Sequence, residues 1–556
     1  MERLAMLVGR YGVGVDFPRF ELPWDQRASL LITYGDMVQK DGGQDHPEKP
    51  LVVLKRFLDD HLKGAVSAIH ILPFFPSSSD DGFSVIDYKQ VDPELGSWDD
   101  IRSIAESFRM MFDLVLNHVS SQCAWHRDYL NGIAPGRHYF IEVDPETNLD
   151  SVVRPRTSPL LTPVQTPAGL RHVWTTFSSD QIDLNFANPD VLFEFLDILM
   201  FFITQGVRVV RLDAIAYLWK ELNTSCVHLP QTHAIVKLFR DFLEMLAPQV
   251  LILTETNVPH EENVSYFGDG DEAQIVYQFS LPPLLLHTLL KGSAASLTQW
   301  ARDLKDPPAG CAFLNFTASH DGIGVRPLEG LLPAEEFGSL IESVHHRGGF
   351  VSTKTNPDGG ESPYELNITY FDALSEPGRP DWPLHAQRFL CSQIIPLGLK
   401  GIPALYFHSL TATRNDYAAV NRTGQVRSIN RRKWSESELL EILHDPKSTA
   451  AHVFGELARL LRLRAEHPAF HPDGGQQIFE LGDAFFAFQR ISPDESEAII
   501  SISNVTAERK SAPIFGRIPL LDQRGECVDL IRNETRPLKK GKLMLAPYQT
   551  VWLIPR

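Results

Sequence analysis

The sequence has few cysteines and no CxxC pair. The five cysteines among 556 residues are an odd number and lie far apart, which argues against a disulfide framework or a structural zinc site. Apolar runs long enough to cross a bilayer are also lacking, because none approaches the required length of about 18 residues. We therefore expect reduced thiols, a cytoplasmic location and no association with membranes.

An excess of positive charge is missing as well. The formal net charge is −18, which disfavours nucleic acid or an anionic membrane as a partner but leaves room for a small anion held by a local group of arginines. With 43% hydrophobic and 22% charged residues, the composition is that of an ordinary folded protein. A chain of this length is expected to form two or more domains.

Eight short apolar runs alternate with amphipathic stretches along the chain. They span residues 28–36, 67–74, 110–118, 206–214, 249–257, 274–280, 310–321 and 401–410. Eight strand-like runs separated by helical patterns predict an α/β fold of the (β/α)8 TIM barrel type. Several runs end in polar residues, and in such barrels the C-terminal ends of the strands carry the active site.

Long intervals between the apolar runs and a change of pattern near the end of the chain predict the domain organisation. The interval after the third run is too long for a helical crossover and predicts an inserted subdomain, and the interval 322–400 contains a loop rich in Gly and Pro at 348–367. Short alternating runs near the end predict a C-terminal antiparallel β domain. The predicted parts are an N-terminal extension (1–27), the first part of the barrel (28–118), the inserted subdomain (119–185), the second part of the barrel (186–473) and the C-terminal domain (474–556).

Charged residues follow three of the predicted strands. Arg211 and Asp213 lie two positions apart, hence on one face of a strand, and they form either a structural ion pair or part of a site. Glu255 and Asp321 end two other runs. Glycoside chemistry needs a carboxylate nucleophile and a carboxylic acid, and a third carboxylate can grip the sugar. Neighbouring strands lie about 4.8 Å apart, which suits a retaining mechanism for Asp213 and Glu255.

Four segments in the right order resemble the signature regions of the α-amylase superfamily, glycoside hydrolase family 13. They are DLVLNH (113–118), VRLDA (210–214), TETN (254–257) and ASHDG (318–322), and QIDLN (181–185) resembles an additional region. HILPFFPSSSDDGFSVIDY (70–88), NTSCVHL (223–229), FSLPPLLLH (279–287) and SPYELNITYFDAL (362–374) are similar to the sucrose phosphorylase subfamily. The resemblance covers nearly the whole chain.

This resemblance implies a role for each matching residue. Asp213 would be the nucleophile that forms a β-glucosyl-enzyme intermediate, Glu255 the acid/base and Asp321 the stabiliser of the transition state. The residues implied for glucose binding are Asp81, Phe83, His118, Arg211, His320 and Arg431. Those implied for phosphate and the acceptor are Arg156, Tyr217, Asn257, Lys354, Tyr364 and Glu365. For Phe83 simple packing stays open, as does a solvated charge for Arg156, Lys354 and Arg431.

The resemblance implies no cofactor and no metal ion. An amylase-type calcium site near Asn117 is conceivable from the sequence, but this subfamily is not expected to need one. The implied partners are a small sugar substrate and inorganic phosphate, and the expected oligomeric state is a monomer or a homodimer.

Three departures from the sucrose phosphorylase pattern lie on the acceptor side. Asn257 replaces the usual His, ASHDG replaces DTHDG, and Ser362-Pro363 replaces an acidic residue before Tyr364. With TSCVHLPQTH, TETNVPHEENVSYFGDGDEA and NPDGGESPYELN, the pattern is most similar to the glucosylglycerate phosphorylase branch. That branch converts 2-O-α-D-glucosylglycerate and phosphate into α-D-glucose 1-phosphate and glycerate. The carboxylate of such an acceptor would want a cation, and the candidates are Lys354, Arg414 and Arg156.

We therefore expect a retaining α-glucoside phosphorylase, a glycosyltransferase-type enzyme, that prefers glucosylglycerate. Sucrose, sucrose 6-phosphate and glucosylglycerol phosphorylases are the nearest alternatives, since they share the chemistry and differ in the acceptor. A hydrolase or transglucosidase on the same scaffold is a more distant alternative. A non-catalytic barrel is disfavoured because all three carboxylates are present.

Overall fold

The computed structural model describes residues 2–12, 24–42, 47–355, 360–379, 382–522, 525–538 and 541–555. All eight apolar runs form strands of one closed parallel barrel, in which each strand pairs with the next and the last pairs with the first. The prediction of a TIM barrel is confirmed. The strands are β1 (Leu30–Thr33), β2 (Ala68–Ile71), β3 (Arg109–Val115), β4 (Val207–Asp213), β5 (Leu251–Thr254), β6 (Ile275–Tyr277), β7 (Ala312–Asn315) and β8 (Ile402–Tyr406).

The barrel strands are apolar because both of their faces are covered. In β4, Val207, Val210 and Leu212 are buried, and Arg211 and Asp213 come at its C-terminal end. Helix Pro189–Thr204, which precedes β4, begins where the side chain of Asn188 accepts a hydrogen bond from the amide of Asp190 and where proline occupies the first turn.

Helices surround the barrel and fill the intervals between its strands. Those between β1 and β7 are Pro50–His61, Trp98–Ala105, Ala124–Leu130, Pro189–Thr204, Pro230–Leu246, His260–Val264, Leu281–Lys291 and Ala295–Asp303. Those after β7 are Ala334–His346, Tyr370–Ala373, His385–Gly398, Phe407–Leu410, Tyr417–Thr423, Glu436–His444 and Thr449–Ala465. Single 3-10 turns occur at Asp80–Gly82, Gly136–His138, Ile215–Tyr217, Ser265–Phe267, Arg326–Leu328, Val426–Asn430, Pro468–Phe470 and Pro519–Leu521.

The chain between β3 and β4 forms the small subdomain that the long interval predicts. Its strands make two antiparallel pairs, His118–Ser120 with Gln181–Asp183 and Leu161–Thr166 with Gly169–Trp174. Outside the barrel, the N-terminal helix Glu2–Tyr11 is linked to helix Pro189–Thr204 by an ion pair between Arg3 and Asp190. The remainder of the predicted N-terminal extension lies partly outside the described residues, at 13–23.

The Gly- and Pro-rich segment 348–367 forms a β-hairpin beside the C-terminal ends of the barrel strands. Its arms, Phe350–Thr355 and Glu361–Asn367, pair with each other, and the second arm also pairs with Ile323–Gly324, just beyond β7. The tip of the predicted loop, 356–359, lies outside the described residues. A separate pair of short strands, Val38–Gln39 with Trp434–Ser435, is parallel and follows β1. The segment expected to be a loop is therefore held largely by ladder hydrogen bonds.

The C-terminal part of the chain forms the antiparallel β structure that its alternating pattern predicts. Six strands pair in the order Gly475–Phe479, Phe485–Ile491, Ala498–Asn504, Thr550–Pro555, Glu526–Asp529 and Glu534–Pro537, beside the pair Lys510–Pro513 with Lys542–Leu545. Tyr548 in this part accepts a hydrogen bond of 3.0 Å from the buried Arg388 of helix His385–Gly398. Within the described ranges, no helix has the length and apolar character needed to traverse a bilayer.

A buried lysine ties the inserted subdomain to the barrel. The Nζ of Lys220 lies 2.5 Å from the carboxylate of Asp183, 2.5 Å from Oδ1 of Asn117 and 2.6 Å from the carbonyl of Tyr217. Burial lowers the pKa of Lys220, and the neighbouring Asp183 opposes that shift. The ammonium group of Lys220 therefore lies beside Asn117, the residue near which the sequence alone allowed an amylase-type calcium site.

We expect Lys220→Met to destabilise the fold by about 3–5 kcal/mol, because it leaves the carboxylate of Asp183 buried without its cation. Lys237→Met is the matched control, since it breaks an exposed pair with Asp271 that is worth about 0–1 kcal/mol. Thermal and denaturant unfolding of both variants measures the difference. Equal losses in the two variants would contradict a structural role for the buried ammonium group.

Candidate active site

The C-terminal ends of the barrel strands surround a pocket that contains most of the candidate residues. Those in its wall are Phe83, His118, Arg156, Asp213, Tyr217, Glu255, Asn257, His320, Asp321, Tyr364 and Glu365. Arg211, Arg431 and Asp81 contact wall residues or their partners from behind. Lys354 lies outside the wall, on the first arm of the hairpin.

Arg211 joins the acidic residues of three neighbouring strand ends. Its Nη1 lies 2.6 Å from Oδ1 of Asp213 and 2.5 Å from Oδ1 of Asp113, and its Nη2 lies 3.9 Å from Oε2 of Glu255. The other oxygen of Asp113 lies 2.6 Å from Nε2 of His70. The guanidinium is therefore anchored on β3 while it holds Asp213 on β4.

Asp213 and Glu255 lie side by side because β4 and β5 are in register. Leu212 pairs with Thr254, so the next two residues extend from adjacent strand ends. Ala214, with a left-handed φ of 50°, donates its amide to Oε2 of Glu255 over 3.0 Å. Side chains on adjacent strands lie about 5 Å apart, which is the carboxylate spacing of retaining glycoside chemistry.

The two carboxyl groups differ in how they are stabilised. Burial raises the pKa of Asp213, Arg211 opposes this shift, and the charge of Glu255 adds to it. Burial also raises the pKa of Glu255, again against Arg211. Because two close carboxyls titrate as a pair, the much shorter contact of Arg211 with Asp213 favours a shared proton on Glu255 and a charge on Asp213.

Asp321 lies among cations and is held ionised. Its Oδ1 is 2.9 Å from Nη1 of Arg427 and 3.8 Å from Nη2 of Arg431. Burial alone would raise the pKa of Asp321, but His320, Arg427 and Arg431 outweigh it and bring the pKa well below its usual range. Arg427 also binds the buried carboxylate of Glu365. Glu365, expected on the acceptor side, therefore shares the cation Arg427 with Asp321.

Two buried histidines form a neutral wall of the pocket. Phe83 stacks on His320 with ring centroids 4.8 Å apart and an interplanar angle of 5°. Burial lowers the pKa of His320 to about 3 and also lowers the pKa of His118. Nε2 of His118 lies 3.1 Å from the carbonyl oxygen of Phe83 and 3.1 Å from Nε2 of Gln181. The imidazoles are thus uncharged hydrogen-bonding groups near neutral pH.

The adjacent residues Asp80 and Asp81 direct their side chains to different places, one to the pocket wall and the other to Arg431. Asp81 pairs with Arg431, as the resemblance implies, whereas Asp80 is the one in the pocket wall. Nε2 of Gln181 donates to Oδ2 of Asp80 over 3.2 Å. Both aspartates have positive φ, 55° and 47°, a conformation that short polar side chains tolerate. In the sequence, the two adjacent aspartates were the feature from which a role for Asp80 in the site could have been predicted.

The pocket wall also contains aromatic and polar residues from several loops. Burial raises the pKa of Tyr217 to about 12, and the guanidinium of Arg156 lies 6.0 Å from the ring centre of Tyr364. Asn257 packs so closely on Gly324 that a Cβ there would come within 2.3 Å of its Oδ1. These residues line the same pocket as the carboxylates.

Two cations suggested for an acidic acceptor are not among the residues of the pocket wall. Arg414 is 54% exposed and pairs with Asp372 at 3.3 Å, with its guanidinium over Phe371. Lys354 is half-buried on the hairpin, where burial and the charge of Arg326 lower its pKa. Arg156 remains in the pocket wall.

Sequence reasoning missed Asp80, Gln181 and Arg427. Arg427 precedes the expected Arg431 by one helical turn in the 3-10 segment Val426–Asn430. Its partners are 62 and 106 positions away along the chain, so no local spacing indicates them. Across the described ranges, no group of three His, Cys, Asp or Glu side chains is arranged to hold a metal ion.

Known proteins resemble this chain in sequence and in fold. Residues 60–307 match the α-amylase catalytic domain, and glucosylglycerate phosphorylase of Spirochaeta thermophila is 50% identical over 96% of this chain and 91% of its own. The chain belongs to the α-amylase superfamily. Within the superfamily it falls in the branch of glucoside phosphorylases.

More distant members of this branch align over most of the chain. Sucrose phosphorylase of Agrobacterium vitis is 32% identical over 79% of this chain and 88% of its own. The crystal structure of sucrose 6F-phosphate phosphorylase from Thermoanaerobacter thermosaccharolyticum superposes with a TM-score of 0.74 and 27% identity, covering 86% of this chain and 94% of that one. The barrel thus follows the family arrangement.

Proposed function

We propose that this protein is a retaining phosphorylase that converts 2-O-α-D-glucosylglycerate and phosphate into α-D-glucose 1-phosphate and glycerate. The observation that carries the chemistry is the pair Asp213 and Glu255, in register on adjacent strands and bridged by Arg211. The acceptor rests on the relative that is 50% identical over almost the full length of both chains.

In the first half of the reaction, the carboxylate of Asp213 attacks the anomeric carbon of the glucosyl group. Glu255 gives its proton to the glycosidic oxygen, so the bond to glycerate breaks as the bond to Asp213 forms. Arg211 favours this assignment because it binds Asp213 directly and reaches Glu255 only at 3.9 Å. Asp321, kept ionised by Arg427, is placed to stabilise the positive charge that develops on the sugar.

In the second half, phosphate occupies the space that glycerate has left. A phosphate oxygen attacks the anomeric carbon from the opposite face, Asp213 leaves, and Glu255 takes up the phosphate proton. The product then keeps the α configuration after two inversions. We propose Arg156 for phosphate binding, with Tyr217 and Tyr364 as hydroxyl donors, because all three line the pocket and arginine suits a phosphate dianion.

We propose that glucose is held by the residues opposite this opening. His118 and His320, both neutral, are suited to bind sugar hydroxyls, and Phe83 offers an apolar face for the ring. Arg431 with Asp81, together with Asp80 in the wall, closes the far end. The five cysteines are buried and unpaired, which supports a cytoplasmic enzyme acting on small molecules, and we propose that it works as a monomer or a homodimer.

The acceptor is tested by the reverse reaction from α-D-glucose 1-phosphate. With glycerate, fructose, fructose 6-phosphate and glycerol offered at equal concentrations, phosphate release is expected to be fastest with glycerate. The forward reaction is expected to give glucose 1-phosphate only when phosphate is present. A higher rate with fructose would assign the chain to the sucrose-type reaction, and equal sugar release without phosphate would make it a hydrolase.

Asp213→Ala is expected to lose several orders of magnitude in turnover with every donor, because no covalent intermediate forms without the carboxylate. Thermal unfolding and steady-state kinetics measure the fold and the rate separately. Leu222→Ala, at an exposed position beyond the site, is the control for a substitution near this strand. Activity within about tenfold of wild type, or about 1.4 kcal/mol of barrier, would rule out Asp213 as the nucleophile.

Glu255→Gln is expected to lose much more activity with glucosylglycerate than with α-D-glucosyl fluoride, since fluoride leaves without protonation. Because burial raises the pKa of Glu255, the protonated acid persists to higher pH than a free carboxyl, and its loss on deprotonation gives wild type an alkaline limb in kcat/KM. That limb should disappear in the variant assayed with the fluoride. Equal losses with both donors would contradict the acid role.

A further inference from the structure

Arg326 is a buried cation that the proposed chemistry does not use. Its side chain is 12% exposed, and the carboxylate nearest to it, that of Glu329, is 3.8 Å from its Nε and is itself 56% exposed. The Nε atom is buried and has no hydrogen-bond partner among the described residues. Burying a charged donor without a hydrogen bond is costly, so Nε of Arg326 is able to bind an anion more closely than it binds the exposed Glu329.

The backbone places Arg326 next to the proposed acceptor side of the pocket, two residues beyond Gly324 of the pocket wall, although Arg326 is not itself a wall residue. It follows the short strand Ile323–Gly324, whose residues line the pocket, and the amide of the intervening Val325 donates to the carbonyl of Tyr364 over 3.1 Å. Gly324 in turn packs against Asn257. The backbone of Arg326 therefore lies between the segment that contains Asn257 and the hairpin arm that contains Tyr364, two residues of the proposed acceptor side.

The charge of Arg326 acts on the residues around that side. After burial, it is the strongest influence on the pKa of Tyr217, ahead of Glu255 and Arg156. It also lowers the pKa of Lys354, whose ammonium is half-buried nearby. Two neighbouring cations raise each other's energy, and an anion bound between them would relieve both. Glu262 and Glu329 contribute negative charge to this region but do not hydrogen-bond to the guanidinium.

We propose that Arg326 is the residue that selects an acidic acceptor, by binding the carboxylate of glycerate beside Tyr217 and Asn257. The inference rests on the proposed function and adds the group that would discriminate glycerate from glycerol, in which a hydroxymethyl replaces the carboxylate. A guanidinium fits a carboxylate through two parallel hydrogen bonds. Arg156 is left to bind phosphate, so the two anions of the reaction have separate arginines.

Arg326→Gln tests this assignment in the synthetic direction, from glucose 1-phosphate. The kcat/KM for glycerate is expected to fall roughly 10- to 100-fold, the value of a hydrogen bond between charged groups, and the ratio of glycerate to glycerol use should fall by a similar factor. Arg326→Lys, which keeps the charge without the fork, should retain an intermediate ratio. Ratios measured within one variant do not depend on the fraction of protein that folds.

Arg509→Gln is the matched control, since Arg509 is exposed in the C-terminal β part and its loss should leave the ratio unchanged. Glycerate and glycerol use falling in parallel in Arg326→Gln would overturn the proposal and make Arg326 structural. A rise in the KM for phosphate with an unchanged ratio would assign Arg326 to phosphate instead. Wild-type enzyme that fails to glucosylate glycerate would overturn the proposed function and this inference together, whereas an unchanged ratio overturns this inference alone.

Discussion

The site depends on one buried guanidinium, that of Arg211. It contacts carboxylates from β3 and β4 within 2.6 Å and approaches the one after β5. Three acids this close would repel one another in a dry interior, and the single cation makes their juxtaposition tolerable. Because the three neighbouring strands are parallel and in register, their three acids lie close to one another. The closure of the barrel and the geometry of the site therefore depend on the same strand pairing.

The asymmetric contacts of Arg211 support the different roles proposed for the two carboxyl groups. Its direct bonds go to Asp113 and Asp213, and Asp113 is in turn bound by His70. Glu255 receives a backbone amide from Ala214 and lies beyond hydrogen-bond reach of the guanidinium. These contacts therefore favour a proton on Glu255 and a charge on Asp213, which is the arrangement that the proposed retaining double displacement uses.

The sequence was sufficient for the parts whose cause is local. The eight strands follow from apolar runs, and the pair Arg211 and Asp213 follows from alternation along one strand. Contacts between segments that are distant along the chain leave no local pattern. Arg427 contacts Asp321 across 106 positions, and Lys220 contacts Asp183 across helix Pro189–Thr204 and strand β4. Arg414 is the opposite case: the sequence suggests it as a cation for the acceptor, but in the structure it is paired with Asp372. The domain boundaries and residue roles remain predictions, supported by the geometry described above.

The two sides of the pocket differ in how completely their charges are neutralised. On the proposed glucose side, Arg211, Arg427 and Arg431 each bind a carboxylate of the protein, although Nε of Arg211, Nη2 of Arg431 and Nδ1 of His320 are buried without hydrogen-bond partners among the described residues. On the acceptor side, Oδ1 of Asn257 and Nε of Arg326 are buried without partners among the described residues. Unsatisfied groups cost stability in the empty protein and return it when a ligand binds. Because we propose that glycerate and phosphate exchange on the acceptor side, a cation that the protein neutralises incompletely suits that side, and Arg326, whose exposed partner Glu329 lies 3.8 Å away, is such a cation.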